Sequence, residues 1–134
     1  MLEIAVHDLD QARAALEAAA EAGVPVRLRS APDAAFYAGV GYLKALGDEV
    51  GHELVIDCGD DAGLVMAALR EGCRRVAFSG SEGIAQKLAD MAGQLGAELR
   101  HETTPPGALV LSPDADARAA VLAWLRAGDG PIEP

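Results

Sequence analysis

The chain has 134 residues, enough for one domain with a substantial core, and 51% of them are hydrophobic although only 4% are aromatic. The formal net charge of −10 argues against a nucleic-acid partner, because such binding depends on Lys and Arg at phosphates. No apolar run approaches the roughly 20 residues that cross a bilayer, and the N-terminus lacks the basic segment of a signal peptide. We therefore expect a cytoplasmic protein with no membrane partner, whose Cys58 and Cys73 are free thiols.

Strand-like and helix-like runs alternate from the start of the chain. The pattern predicts a strand over 2–6, a helix from Asp8 or Asp10 to about residue 22, and a strand over 24–28. A loop ending at Asp33 then leads into another helix. The buried stripe predicted for that helix consists of Phe36, Val40, Leu43, Leu46 and Val50.

The same alternation is clearest in the middle of the chain. A strand over 53–57 precedes a helix over 62–71, and a strand over 75–78 precedes a helix over 82–95. A short strand over 97–101 follows. These apolar runs are too continuous for an antiparallel sheet with one wet face, and they favour parallel strands covered by helices.

The last part of the sequence is less regular. An edge strand is predicted over 108–111, and Ser112 followed by Pro113 predicts the start of a final helix, because Pro is favoured at the first helical position. We expect one domain over 1–128 and a flexible end over 129–134. The predicted fold is α/β, with repeated βα units and a five-stranded, mostly parallel sheet. That sheet is either half-TIM-barrel-like or open, with a flavodoxin-like arrangement as the alternative.

Candidate site residues follow from the rule that ligands gather at the carboxyl ends of parallel strands. Asp57 ends an apolar strand, so its carboxylate is a candidate acid/base, although it can equally accept hydrogen bonds in a turn. Cys58 is a candidate ligand for a soft metal such as zinc, or else a small buried hydrophobe. The candidates for ligand binding are Ser30, Ser79, Gly80, Ser81 and His7. The segment from Ser79 also has the capping-box spacing of an ordinary helix start.

A family resemblance rests on these same segments. Residues 53–61, Glu-Leu-Val-Ile-Asp-Cys-Gly-Asp-Asp, are followed by Ala-Ala-Leu-Arg-Glu-Gly at 67–72 and Arg-Val-Ala-Phe-Ser-Gly-Ser at 75–81. In order and spacing they resemble the third and fourth βα units of class II fructose-bisphosphate and tagatose-bisphosphate aldolases. Residues 5–10 and 25–30 look like the first two units of that family, and the likeness extends over about residues 1–102.

The resemblance implies the first half of a TIM barrel, with Asp57 in the position of the family's catalytic Asp. Cys58 replaces a zinc-binding His, and Ser79 replaces an acid. The remaining zinc histidines and the phosphate loops belong to the family's second half, which these residues do not match. Two copies pairing as a homodimer, or the terminal strand and helix, would cover the open edges of such a half barrel.

Three functions remain open on this basis. The first is a non-catalytic, aldolase-like half barrel with a binding or regulatory role and no cofactor, which is the one we expect. The second is a metal-dependent lyase of the aldolase type, with Asp57 as acid/base, Cys58 as zinc ligand and a site completed across a dimer. The third is an open-sheet α/β domain that binds other proteins. The sequence names neither a small-molecule ligand nor a protein partner.

Overall fold

Strands and helices mostly alternate over residues 1–127, the part of the chain that the computed structural model describes. The predicted flexible end over 129–134 lies outside these residues. The elements in chain order are β1 (Leu2–Val6), α1 (Leu9–Ala22), β2 (Val26–Ser30), α2 (Ala34–Tyr37), α3 (Val40–Val50), β3 (Ile56–Asp57), α4 (Ala62–Arg70), β4 (Arg75–Phe78), α5 (Glu82–Gln94), β5 (Glu98–His101), β6 (Leu109–Val110) and α6 (Ala117–Arg126). None of the helices in this range is long and apolar enough to span a membrane.

The strands form two three-stranded parallel sheets, in the orders β2-β1-β6 and β3-β4-β5. One parallel bridge, between Arg29 and Val55, connects them, with the Ser30 N–H donating to the Val55 carbonyl at 2.9 Å. The parallel α/β prediction is therefore confirmed, whereas the single five-stranded sheet is not. The strand predicted over 53–57 is regular only at Ile56–Asp57, because pairing with β2 stops after Val55 and pairing with β4 begins.

The apolar core lies on one side of the strands. Alternate strand side chains point to opposite sides, and Ile4, Leu28, Ile56 and Val76 all belong to one buried cluster with helical residues such as Leu43. The helices pack in a row on this side: α6 on α1, α1 on α3, α3 on α4 and α4 on α5. The hydrophobic effect therefore holds the strands and the helical layer together, at about 25 cal/mol per Å² of buried apolar surface.

The other side of the strands is polar and strongly curved. It carries Glu3 of β1, Arg29 of β2, Asp57 of β3 and Arg100 of β5. Arg100 Nη1 donates to Glu3 Oε2 at 2.8 Å, although β2, β3 and β4 lie between the two strands. In a flat arrangement four strand spacings would separate β1 from β5 by about 19 Å, more than these two side chains can span. The strands therefore curl, with the polar side concave.

A short connection crosses the concave side. Residues 102–108 run from the end of β5 to β6, which pairs in parallel with β1 at the far edge. Parallel strands are usually linked by a dozen or more residues, most often with a helix. This segment, referred to below as the strap, has no helix and contacts the concave side through Glu102 and Thr104.

Two helix predictions differ from the structure. Gly39, with φ of 92°, separates α2 from α3, so the predicted single helix is broken and Phe36 is 76% exposed instead of buried. The final helix begins after Asp116, whose carboxylate accepts from the Ala119 N–H at 3.1 Å. Ser112 does not cap it, because the chain turns first and the helix begins only at Ala117. The Ser112 carbonyl instead accepts a hydrogen bond from the Gln11 side chain at 2.7 Å.

Candidate functional site

The predicted site residues fall at the carboxyl ends of adjacent strands and partly come together. The Asp57 N–H donates to Ser30 Oγ at 2.8 Å, which links the ends of β2 and β3. The Ser79 N–H donates to the Gly59 carbonyl at 2.7 Å, which links the loops after β3 and β4. His7 lies apart from this group, at the ends of β1 and β6.

Asp57 is buried, and the carboxylate already has three partners. Oδ1 accepts from the Gly59 N–H at 2.9 Å, which closes the turn after β3. Oδ2 accepts from Arg29 Nη2 and from the Thr104 hydroxyl, both at 3.4 Å. The Asp57 side chain therefore links the turn, the concave side and the strap. This candidate acid/base has a structural role.

Cys58 points the opposite way, into the helix-side core. Its Sγ lies 3.7 Å from the Ile56 carbonyl, and burial together with the nearby Asp57 carboxylate raises the pKa of the thiol to about 12. Metals bind the thiolate, which this environment disfavours. Within residues 1–127 no group of three or more His, Cys, Asp or Glu side chains is arranged to hold a metal ion. Zinc binding by Cys58 remains a prediction that this geometry does not favour.

Arg29 is the centre of a buried charge network that the sequence interpretation missed. The side chain is 0% exposed and donates to Glu3 Oε1 at 2.9 Å and Glu102 Oε2 at 3.2 Å, besides Asp57. Arg100 donates to Glu3 and Glu102 at 2.8 and 2.7 Å. Among the described residues Arg29 Nε has no hydrogen-bond partner. The guanidinium groups of Arg29 and Arg100 thus pair with three carboxylates, those of Glu3, Asp57 and Glu102.

Two pKa shifts within this network reflect the mutual stabilisation of its charges. Burial of Glu3 opposes ionisation, but hydrogen bonds from Arg100 and Arg29 outweigh it and lower the pKa below the ordinary value of 4.5. For Arg100 burial likewise opposes the charge, and the hydrogen bond and charge of Glu3 overcome it and raise the pKa above its ordinary value. Both groups therefore stay charged on the concave side at neutral pH.

Gly80 fits tightly between its neighbours. A methyl group added there would lie 2.3 Å from the Phe78 ring, and the Gly80 carbonyl is 2.7 Å from His101 Nε2. The cap of α5 is Ser81, whose hydroxyl accepts from the Ile84 N–H at 3.4 Å, so the predicted Ser79 cap is replaced by Ser81. These contacts give Gly80 and Ser81 structural roles that are sufficient without a bound phosphate.

His7 holds the end of β1 to two other segments. Its Nε2 donates to the Leu111 carbonyl and its Nδ1 pairs with the Tyr37 hydroxyl, both at 3.0 Å. The His7 N–H donates to the Gln11 side chain at 2.8 Å. The ring therefore positions α2 over the ends of the strands, and Tyr37 is the neighbour that sequence reasoning did not assign.

An open pocket of about 140 Å³ lies beside α2, at the carboxyl ends of β2 and β3. Exposed Phe36 forms one wall. The acidic lining residues are Asp33, Asp57, Asp60 and Asp61. Tyr37, next to Phe36, is 61% exposed. Phe36, Tyr37 and the pocket are together referred to below as the carboxyl-end surface.

A larger cavity, of about 250 Å³, lies at the opposite ends of the strands between the ends of α3 and α4. Its charged lining residues are already paired: Lys44 with Asp48 at 2.8 Å and Arg74 with Glu53 at 3.1 Å. Cys73 lies in its wall, and burial raises the pKa of this thiol to about 11. This cavity is larger than the pocket beside α2, but ligands of parallel α/β proteins gather at the other end of the strands.

Comparisons with known proteins identify no relative of this chain: no protein-family model matches it, and no curated protein matches it in sequence.

Proposed function

We propose that this chain is a non-catalytic binding domain, built like half of a TIM barrel, that uses the carboxyl-end surface to bind a partner. Consecutive strands β1 to β5 lie next to one another, and the helices form one row on the convex side. Both features support a half barrel over a flavodoxin-like sheet, which has helices on both faces. β6 pairs with β1 at the edge where a further barrel strand would lie.

The observation that carries this proposal is the engagement of Asp57. A general acid/base needs a carboxylate oxygen that is free to exchange a proton with its substrate, yet both oxygens of Asp57 already accept hydrogen bonds, from Arg29, the Gly59 N–H and Thr104. The adjacent thiol of Cys58 lies in the core. The two residues that the aldolase resemblance aligns with catalysis therefore have structural partners, which supports descent from an enzyme without its reaction.

Metal content tests the non-catalytic part of the proposal against the lyase alternative. Untagged protein purified without chelator is expected to contain no stoichiometric zinc, and added zinc is expected not to bind. Cys58→Ser and the parent chain should behave alike in this assay. About one zinc per chain or per dimer, lost in Cys58→Ser, would instead support the lyase with a site completed across a homodimer.

The location of the binding surface is tested with small neutral probes. Phenol and isopropanol, titrated into isotopically labelled full-length protein, are expected to shift the backbone amide NMR signals of residues 33–37 and 57–64. The cavity at the other end of the strands provides the internal comparison, through the amides of residues 43–54 and 72–74. Probe binding confined to that cavity would mean that the carboxyl-end surface is not the binding surface.

A further inference from the structure

Helix α2 exposes two aromatic side chains in a chain that has few of them. The chain has five aromatic side chains, from one Trp, two Tyr and two Phe. Two of the five, Phe36 and Tyr37, stand next to each other with 76% and 61% of their surface exposed. The His7 contact fixes the Tyr37 hydroxyl, so that ring is held in place before any partner arrives. Rigid, exposed aromatic side chains are characteristic of binding hot spots.

The side chains beside the Phe36 ring are negatively charged. Four carboxylates line the pocket, and no Lys or Arg does. Arg29 neutralises Asp57, and Asp61 accepts from the Leu64 N–H at the start of α4. The Asp33 carbonyl accepts from the N–H groups of Phe36 and Tyr37, but within residues 1–127 the side-chain carboxylates of Asp33 and Asp60 have no hydrogen-bond or ion-pair partner. Their charges are therefore available to a partner on the same surface that exposes Phe36.

We propose that the carboxyl-end surface accepts an arginine or lysine side chain from a basic protein segment, an inference that rests on the proposed binding function. The cation lies on the Phe36 ring and its donors face Asp33 and Asp60, since a guanidinium group both stacks on aromatic faces and binds carboxylates. The pocket, of about 140 Å³, is well below the roughly 300–1,000 Å³ of typical small-molecule sites. That volume suits one cationic head group and is too small for a cofactor.

Charge complementarity selects this occupant over a second copy of the chain. Each copy carries a formal charge of −10, and the surface itself is acidic, so two copies that meet there repel each other. A basic segment gains from the same field.

A pair of peptides tests the proposal on the full chain. The acetylated and amidated peptide Gly-Arg-Gly-Arg-Gly is compared with the same peptide in which citrulline, an uncharged isostere, replaces arginine. The arginine peptide is expected to shift the amides of residues 33–37 and 57–64 and to bind more tightly than the citrulline peptide. Asp33→Asn, which tolerates the same backbone conformation, should weaken binding about two- to fivefold. Phe36→Ala should weaken it about threefold.

Matched variants separate this site from diffuse attraction to an acidic protein. Asp90→Asn removes one exposed charge from α5, far along the chain from the pocket, and should change affinity less than twofold. Equal weakening by Asp90→Asn and Asp33→Asn, or equal affinity of the two peptides, would overturn the proposal. Self-association that is lost in Phe36→Ala would also overturn it and make a second copy the occupant. If phenol and isopropanol still bind the surface in these cases, the proposed binding function survives the failure.

Discussion

Replacing Arg29 by Met tests whether the buried charge network stabilises the fold. The side chain is 0% exposed and contacts Glu3, Glu102 and Asp57 at 2.9, 3.2 and 3.4 Å. Arg100 continues to pair with Glu3 and Glu102 in the variant. Asp57 is the carboxylate that loses its guanidinium partner, while the Gly59 N–H and the Thr104 hydroxyl remain.

These contacts determine how much stability Arg29→Met is expected to lose. Removing one partner of a buried ion pair costs about 3–5 kcal/mol, and the two remaining donors to Asp57 place Arg29→Met at the lower end, about 3 kcal/mol. For a domain of this size that corresponds to a fall in Tm of about 10 °C. Arg13→Met is the matched control, because Arg13 pairs with Glu49 at the same kind of distance, 3.1 Å, but in solvent. It should cost about 1 kcal/mol or less.

Urea unfolding followed by circular dichroism at pH 7 measures both variants. The double variant Arg29→Met with Asp57→Asn should be more stable than Arg29→Met alone, because it removes the orphaned charge. Equal, small losses for Arg29→Met and Arg13→Met would refute the claim that the concave side depends on this ion pair. A double variant no more stable than the single one would mean that the cost does not arise from Asp57.

Three further predictions concern other parts of the molecule. The pKa of Glu3 in the folded chain lies below its ordinary value of 4.5. Ionised Glu3 therefore stabilises the fold above pH 4.5, and this stabilisation is lost as the pH falls through the pKa of the folded state. Urea titrations between pH 6 and pH 3, spanning the ordinary Glu pKa, should therefore show a steeper loss for the parent chain than for Glu3→Gln, and equal slopes would contradict the shift. Gly80→Ala places a methyl group against the buried Phe78 ring and should lower the free energy of unfolding by about 1–3 kcal/mol. Gly83→Ala, in a helix with open space around the added methyl, should raise it by about 0.5–1 kcal/mol. Thermal unfolding measures both variants, and similar stabilities would show that Gly80 has no packing role. Both thiols should resist iodoacetamide at pH 8 in the folded protein, with Cys73 (pKa about 11) modified before Cys58 (pKa about 12), and mass spectrometry of the labelled peptides would detect the reverse order.

The order of the elements could be predicted from sequence because each depends on local chemistry. β4 was predicted with its observed bounds, and α1 and α5 within a residue or two. Asp8 caps α1 and Gly23 ends it, as the sequence indicated, whereas the cap of α5 is Ser81 and not the predicted Ser79. The break between α2 and α3 was missed because the apolar spacing continues through it. Only the positive φ at Gly39 interrupts the helix, and that turns Phe36 to solvent.

The charge network was missed for a different reason. A signal was present: Glu3, Arg29 and Arg100 occupy strand positions that alternate with apolar ones, which indicates a second, polar side of the sheet. What sequence could not supply was the curvature that brings β1 within reach of β5, because this depends on the whole set of strands. The candidate residues do lie at the carboxyl ends of the strands, whereas the direction in which Cys58 points depends on the turn at Gly59.

The strap has a consequence for the concave side of the sheets. In a complete barrel, side chains from all of the strands fill the interior together. Here Glu102 and Thr104 of the strap contribute side chains that contact Arg29 and Asp57. Any segment that packed against this side in their place would have to displace the strap and break those contacts. The chain thus covers its polar, concave side with its own residues.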